Sequence, residues 1–321
     1  MTPPLVSVLV TAFNREAYLP ASIESVLAQS LSDFELIITD DRSSDGTLAV
    51  AQEYARRDPR IRVHANARNL GDYRNRNHAA SLASGQFLKF HDSDDIMYPH
   101  CLQVMTTCLA AEPRAGLGLS TGASWAGGPA PMLSTPRMSY QREFLGYGAF
   151  NAGPAGALFR TNVFRDLSGF EDHGAASDHL FWLRACTKYP VLLLPGDLFW
   201  YRVHSGQSFQ SDAAAVSYAQ VPKLSWRALL SADCPLIEEE RERAKKNLAF
   251  ATAKQIWRAA MSGHWRIALL RLRDSGITPG EWLAYLRRPQ RFALAGTPLD
   301  EHGGYAIPAW CRSAPPARQH P

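Results

Sequence analysis

The stretch Phe87-Leu88-Lys89-Phe90-His91-Asp92-Ser93-Asp94-Asp95 combines a short apolar run with three carboxylates inside four residues. The apolar part reads as a buried strand, and the acidic part as the turn that leaves it. Ionised carboxylates this close repel one another and need a strong compensating charge. A hard divalent cation supplies it, because Mg²⁺ and Mn²⁺ prefer oxygen ligands and share their shell with substrate phosphates. The plainer reading is a polar loop whose Asp caps the next helix. A second acidic pair, Asp40-Asp41, ends another apolar run about fifty residues earlier.

These residues need elements to position them. Leu5 to Thr11, Phe34 to Thr39, Ile61 to His64 and Gln86 to Phe90 read as strands. Between them, Leu19, Ile23, Val26 and Leu27 share a helical face, Leu48 to Arg57 forms a second helix, and Tyr73 to Ser84 a third that Gly85 stops as a C-terminal cap. Pro99 opens another helix. Alternating strands and helices predict a mostly parallel sheet flanked by helices, with ligands beyond the carboxyl ends of its strands. Asp40-Asp41 and Asp92 to Asp95 both fall at such ends. Gly122 to Pro136 reads as a mobile loop. Leu158 to Phe164 is a strand-to-helix passage, and Ser177 to Tyr189 a helix. Beyond about Leu224 the pattern is helical: Glu238 to Ser262, then His264 to Asp274, joined at Gly263. Leu248, Ala251, Gln255 and Ala259 are expected to pack against Trp265, Ala268, Leu269 and Leu272.

With 46% hydrophobic and 20% charged residues, the 321-residue chain has an ordinary globular composition. Its net charge of +4 is uneven: Leu236 to Arg291 holds twelve Lys/Arg against six Asp/Glu. The five cysteines form no C-x-x-C pair, so neither a disulfide framework nor a zinc site is expected. There is no signal-peptide pattern and no apolar run of membrane-spanning length, so the expected location is cytoplasmic, with room for peripheral contact at the inner face of a membrane. No G-x-G-x-x-G or G-x-x-x-x-G-K-[ST] occurs, which weighs against dinucleotide oxidoreductases and P-loop enzymes.

Val6-Ser7-Val8-Leu9-Val10-Thr11-Ala12-Phe13-Asn14, Ser25-Val26-Leu27-Ala28-Gln29-Ser30 and Phe34 to Thr47 resemble family 2 glycosyltransferases. So do Asn69-Leu70-Gly71, Arg76-Asn77 and Ala83-Ser84-Gly85-Gln86-Phe87 running into Asp92-Ser93-Asp94-Asp95. The likeness is close over residues 5–110 and looser over 145–210. It implies a GT-A fold, a nucleotide-diphosphate sugar donor (most often a UDP sugar), Mn²⁺ or Mg²⁺, and inversion at the anomeric carbon.

By that resemblance Thr11 and Asn14 line the nucleotide pocket, Asp41 accepts from the base, and Asp40 is its structural neighbour. Arg76 approaches base or diphosphate, and Asp92 the ribose or a metal-bound water. Asp94 and Asp95 are the metal contacts. Ser177-Asp178-His179 resembles the family's acidic motif, with Ser177 where an acidic residue is common, leaving Asp178 as catalytic base; an Asp opening a helix is otherwise its N-cap. Tyr201-Arg202-Val203-His204-Ser205 resembles a late loop over the donor, where His204 reaches diphosphate or metal or is an ordinary surface histidine. His91 stands where the family is apolar and reads as a hydrogen-bond donor supporting the cluster or, more simply, as a polar strand-end residue. Trp182 and Trp200 are sugar platforms or core. Candidate lids are 122–136 and 203–210.

The expected organisation is a catalytic domain over 1–223, with a nucleotide-sugar half at 1–112 and an acceptor half at 145–210. A helical extension follows at 224–290, and an irregular, disordered tail at 291–321. The expected reaction is sugar transfer to a hydroxyl of a glycan or glycolipid in cell-surface polysaccharide assembly. Alternatives are a nucleotidyltransferase acting on sugar phosphates, disfavoured because Thr11 to Tyr18 is no basic Gly-rich loop, and a non-catalytic nucleotide-sugar-binding module. Homodimerisation through the C-terminal helices and a membrane-surface adaptor stay open, and no nucleic-acid partner is expected.

Overall fold

Val6–Ala12 and Phe34–Asp40 are almost wholly apolar or β-branched, a pattern that suits strands covered on both faces. In the computed structural model, which describes residues 2–120, 130–146, 148, 150, 152–204, 207 and 211–285, they are adjacent inner strands of the sheet. The chain runs β1 (Val6–Ala12), α1 (Leu19–Leu27), β2 (Phe34–Asp40), α2 (Thr47–Arg57), β3 (Ile61–Ala65), α3 (Asp72–Ser81) and β4 (Phe87–Asp92). After β5 (Ile96–Met97) come α4 (Cys101–Ala111), β6 (Leu117–Ser120), β7 (Met132–Ser134) and α5 (Pro136–Phe144). Then follow β8 (Ala157–Arg160), α6 (Thr161–Asp166), α7 (Ser177–Lys188), β9 (Val191–Leu194) and β10 (Phe199–Trp200). The last described elements are α8 (Asp212–Tyr218), α9 (Val221–Leu230), α10 (Glu238–Met261), α11 (Trp265–Asp274) and α12 (Pro279–Tyr285).

Among the described residues the main sheet has eight strands in the order β3-β2-β1-β4-β8-β6-β9-β7. The β3-β2-β1-β4 part is parallel; β8 joins β4 and β6 antiparallel, and β7 joins β9 antiparallel. Strand order reverses between β1 and β4, the point at which an open α/β sheet leaves a crevice for ligands. Register puts Thr11 beside Thr39 on one side and Asp92 on the other, with Ala12 beside Asp40. Both acidic motifs therefore sit at the same sheet edge. A second, two-stranded sheet pairs Ile96–Met97 with Phe199–Trp200, fastening the segment after β4 to chain made a hundred residues later.

One face of the sheet packs on α1, α2 and α4 through Ile23, Val26, Leu102 and Met105. The other packs on α3, α5 and α7 through Ala79, Tyr140, Phe181 and Trp182. Trp182 is fully buried, donates from Nε1 to Ala152 O at 2.8 Å and stacks on Phe159 at 5.7 Å, so it is core rather than a sugar platform. Trp200 stays exposed.

Three expectations need correction. Residues 132–134 and 136 belong to β7 and α5 rather than to a loop, while 121–129 lie outside the described residues, as do 205, 206, 208–210 and everything after 285. Helix α3 stops at Ser81 without a glycine, and Gly85 serves a different need. A Cβ there would fall 2.6 Å from Ser7 N and 2.8 Å from Val6 C, so only glycine lets the chain entering β4 lie against β1. Lastly, α10 and α11 pack together around Ala268, but Trp265, Leu269 and Leu272 face solvent. Among the described residues no helix is long and apolar enough to cross a membrane.

Because the atoms facing Gly85 are backbone, they cannot yield without moving β1. Gly85→Ala should lower unfolding stability by about 1–3 kcal/mol, read as a fall in denaturation midpoint at unchanged slope. A midpoint equal to the parent's would show that the close approach is not obligatory.

Candidate functional site

The loops beyond β1 and β2 are tied together before any ligand arrives. Asn14 holds φ of 53°, a left-handed conformation Asn tolerates better than most residues. Its Oδ1 accepts from Ser44 N at 2.8 Å and Ser44 Oγ at 3.2 Å, and its own N donates to Ser43 Oγ at 3.0 Å. Asp40 is buried; its Oδ2 accepts from Ser43 N at 3.0 Å and its Oδ1 has no partner. Asp41 Oδ1 accepts from Asn66 Nδ2 at 2.8 Å and Leu70 N at 2.7 Å, and Oδ2 from Gly71 N at 2.9 Å. A carboxylate has about four acceptor positions, so Asp41 latches the Asn69-Leu70-Gly71 turn and keeps one in hand.

Helix α3 then enters with an unusual buried face, carrying Asn75 and Arg76 beside Tyr73 and Ala79. Arg76 Nε donates to Asp72 Oδ1 at 2.8 Å and its Nη2 to Asp92 Oδ1 at 2.8 Å. Nη1 is buried with no partner. Burial alone would push the Asp92 carboxyl up, but the Arg76 charge and hydrogen bond outweigh it and hold the group below its usual range. Thr11, half-buried, lies next to it in register.

Past Asp92 the turn is crowded with counter-charge from distant segments. Asp94 Oδ2 accepts from Arg15 Nε at 3.0 Å and lies 3.0 Å from His204 Nε2. Asp95 Oδ1 accepts from Arg202 N at 3.0 Å, and Arg202 Nε donates to Asp94 O at 2.7 Å. Tyr18 stacks on His204 at 4.5 Å. The late segment therefore closes onto the acidic turn, and His204 belongs to the cluster. Asp95 is fully buried with Oδ2 unpartnered, and burial, then the neighbouring Asp92 and Asp94 charges, push its carboxyl up to about 7. His91 is buried against α1, 3.5 Å from Ser25 Oγ; burial and Lys89 pull it to about 3, so it is neutral.

Among the described residues no set of three or more His, Cys, Asp or Glu converges as a ready-made metal cage. The donor set still suits a hard cation that completes its shell with phosphate oxygens, since Mg²⁺ is commonly held by one or two carboxylates plus substrate. The unpartnered Asp95 Oδ2 beside Asp94 is that kind of donor.

Asp178 sits in the first turn of α7, but the N-cap is Ala176, and Ser177 Oγ ties the turn by accepting from His173 N and donating to Gly174 O. Asp178 is thus not a cap. Its Oδ1 accepts from His179 N at 2.6 Å and the Tyr73 hydroxyl bonds it. Burial pushes the carboxyl up to about 6, against the opposing His179 N–H and Arg76 charge. Asp178 feels the charges of Arg76 and Asp72, and Arg76 in turn holds Asp92 at the acidic turn. Sequence reasoning gives no role to Arg15, Tyr18 or Tyr73, and places Arg202 only within the late-loop motif. Arg15 follows Asn14 directly and Arg202 lies two before His204, so adjacency was the available signal.

The family described as glycosyl transferase family 2 matches residues 7–168. An uncharacterized glycosyltransferase of Haemophilus influenzae is 28% identical over 225 residues, 64% of this chain and 67% of that protein. The Escherichia coli protein named UDP-Glc:alpha-D-GlcNAc-diphosphoundecaprenol beta-1,3-glucosyltransferase WfgD is 38% identical over 105 residues, which cover 33% of this chain and 41% of that protein. Among solved structures, S. aureus TarS 1–349 in complex with UDP-GlcNAc superposes with a TM-score of 0.60 at 22% identity, over 77% of this chain and 72% of that one. At that identity the likeness concerns the fold.

The raised Asp178 carboxyl carries a stability signature. Its folded pKa of about 6 exceeds the ordinary 3.8, so the native state binds this proton more tightly than the unfolded chain does. The resulting stabilisation is complete below about pH 4 and is lost as pH rises through 6. Asp178→Asn should accordingly raise stability above pH 6 by up to about 2–3 kcal/mol, with the gain vanishing near pH 4. A melting-temperature difference that does not change with pH would contradict this.

Proposed function

This chain belongs to glycosyl transferase family 2 and is a glycosyltransferase of GT-A fold; on that premise we propose that it transfers a sugar, with inversion and metal dependence, from a UDP sugar to a hydroxyl of a lipid-linked glycan during cell-surface polysaccharide assembly. The name of the Escherichia coli relative, which states a UDP donor and a diphosphoundecaprenol-linked acceptor, supports the substrate classes. We assign catalysis to residues 1–223, with donor binding in 1–112 and acceptor binding in 145–210, and treat 224–290 as an extension.

The observation that carries this reading is the set of buried polar atoms without partners at one sheet edge: Thr39 Oγ1, Asp40 Oδ1, Arg76 Nη1 and Asp95 Oδ2. Leaving such groups unpaired costs free energy until a ligand, ion or water engages them. A nucleoside diphosphate with a cation offers complementary partners for all of them. In this reading Thr11, Asn14 and Asp41 border the base, Asp92 takes the ribose, and Arg76 directs Nη1 to base or diphosphate. Asp94 and Asp95 hold Mn²⁺ or Mg²⁺, which when bound offsets charge growing on the departing diphosphate.

Asp178 takes the proton of the acceptor hydroxyl as that oxygen attacks the anomeric carbon. A carboxylate near 6 is ionised at neutral pH yet more basic than an ordinary Asp, which suits a general base. The Arg202–His204 segment, already seated on the acidic turn, excludes water that would otherwise hydrolyse the donor.

Calorimetric titration of UDP with Mn²⁺ should give saturable binding that chelator weakens by at least about tenfold, and that Asp94→Asn with Asp95→Asn abolishes. Binding indifferent to metal would remove the cation from the reading. No binding of UDP by the folded protein would remove the uridine assignment. With donor and acceptor in hand, Asp178→Asn should lower kcat by about 10²–10⁴, and the parent's kcat/KM should fall as pH drops below about 6. A retained kcat would exclude Asp178 as the base.

A further inference from the structure

Helices α10 and α11 form a hairpin turned at Gly263, whose φ is 78°. Its inner side packs on the body through Ala249, with Trp226 and Ile277 beneath, and Ala268 is buried on α11. Its outer side is not polar. Trp257, Met261, Trp265, Leu269 and Leu272 are 64%, 69%, 62%, 63% and 50% exposed. Trp257 and Met261 share one face of α10 at a spacing of four, and Trp265, Leu269 and Leu272 share one face of α11 at spacings of four and three, so both arms of the hairpin present large apolar side chains to solvent. Single exposed apolar side chains are ordinary, but a run of five large ones marks a surface that is covered in use.

The charges around these side chains indicate what covers them. From Lys254 to Asp274 the hairpin carries five basic residues and one acidic, whereas the acidic residues of α10 gather at its opposite end, Glu238 to Glu242. Arg258 and Arg266 are exposed and make no ion pair among the described residues. A second copy meeting this face symmetrically would set basic charge against basic charge. The residues beyond 285 are net basic as well, with five arginines against Asp300 and Glu301, so they are poorly matched to it. Two tryptophans beside unpaired arginines suit the boundary between lipid headgroups and acyl chains, where amphipathic rings and cations are both satisfied.

We propose that the α10–α11 hairpin docks the protein on an anionic lipid surface, with Trp257, Met261, Trp265 and Leu269 entering the headgroup–acyl boundary and Arg258 and Arg266 meeting lipid phosphates. The same hairpin walls a cleft of about 830 Å³ that reaches His179 and Tyr218, next to Asp178. The docking does not rest on the lipid-linked acceptor, because vesicle binding requires no turnover.

The test is co-sedimentation of the full chain with phosphatidylcholine vesicles, with and without phosphatidylglycerol, at low and high salt. The expected result is binding only to the anionic vesicles, weakened by salt. Trp257→Ser with Trp265→Ser should reduce partition by about tenfold or more, and Arg258→Gln with Arg266→Gln by roughly thirtyfold. All four side chains are on the solvent side, so melting temperature and UDP binding should match the parent in both variants. Three results would overturn the proposal: no partition of folded protein onto anionic vesicles, partition that both double variants retain, or a dimer in sedimentation velocity that the tryptophan variant dissolves. Loss of UDP binding with intact vesicle binding would strike the donor reading alone.

Discussion

Crowded negative charge at the end of β4 is the constraint around which the N-terminal half is organised. Asp92 ends a central strand with Asp94 and Asp95 directly behind it, and the polar partners of the three come from other parts of the chain. Arg76 comes from α3, Arg15 from the loop after β1, and Arg202 with His204 from beyond β10. Beneath them Lys89 is fully buried within β4, donating to the carbonyls of Phe90 and Ala155. Burial pulls its ammonium below the usual range, while Asp92 and Asp95 pull the other way. Burial first, and then the Asp92 and Asp94 charges, raises the Asp95 carboxyl.

The downstream half depends on a different kind of contact. Phe90, Phe159, Phe164, Phe170, Phe181 and Trp182 make an aromatic cluster of edge-to-face, tilted and stacked rings that joins β4 to α7. Such packing fixes the angle at which α7 leaves the sheet, and with it the place of Asp178. Asp178 then meets Tyr73 from α3, whose ring packs on Phe170. The helix that supplies Arg76 to the acidic turn therefore also supplies the neighbour of the proposed base, so the two halves share one positioning element.

The sequence was legible where periodicity and motif coincide. β1 to β4 and α1 to α4 appear within a few residues of expectation, because long apolar runs alternate with helical faces and Asp residues mark the strand ends. β6 and β9 were missed: four fully buried residues have neither alternation nor length to reveal them. β7 lies inside a Gly- and Pro-rich stretch, where composition outvoted a three-residue strand. Gly85 was read as a cap because sequence shows a glycine's freedom but not the backbone it must lie against. The late segment around Arg202 could be matched to a motif, yet its bonds to Asp94 and Asp95 are tertiary and left no local trace. For α11 the pattern named the apolar positions but not their direction, since Trp265 and Leu269 fit an inner face as well as an outer one.

The small sheet of Ile96–Met97 with Phe199–Trp200 bears on how the protein is made. Chains fold from the N-terminus while still being synthesised. When β4 and the acidic turn have left the ribosome, β1, β2 and α3 are already available and Arg15 and Arg76 can engage. Arg202 and His204 are still a hundred codons away. During that interval Asp95 lacks its backbone donor, β5 lacks its partner strand and the turn stays open. The site therefore matures in two stages, and a growing chain stalled before residue 200 would carry a half-neutralised acidic loop at the edge of an otherwise finished sheet.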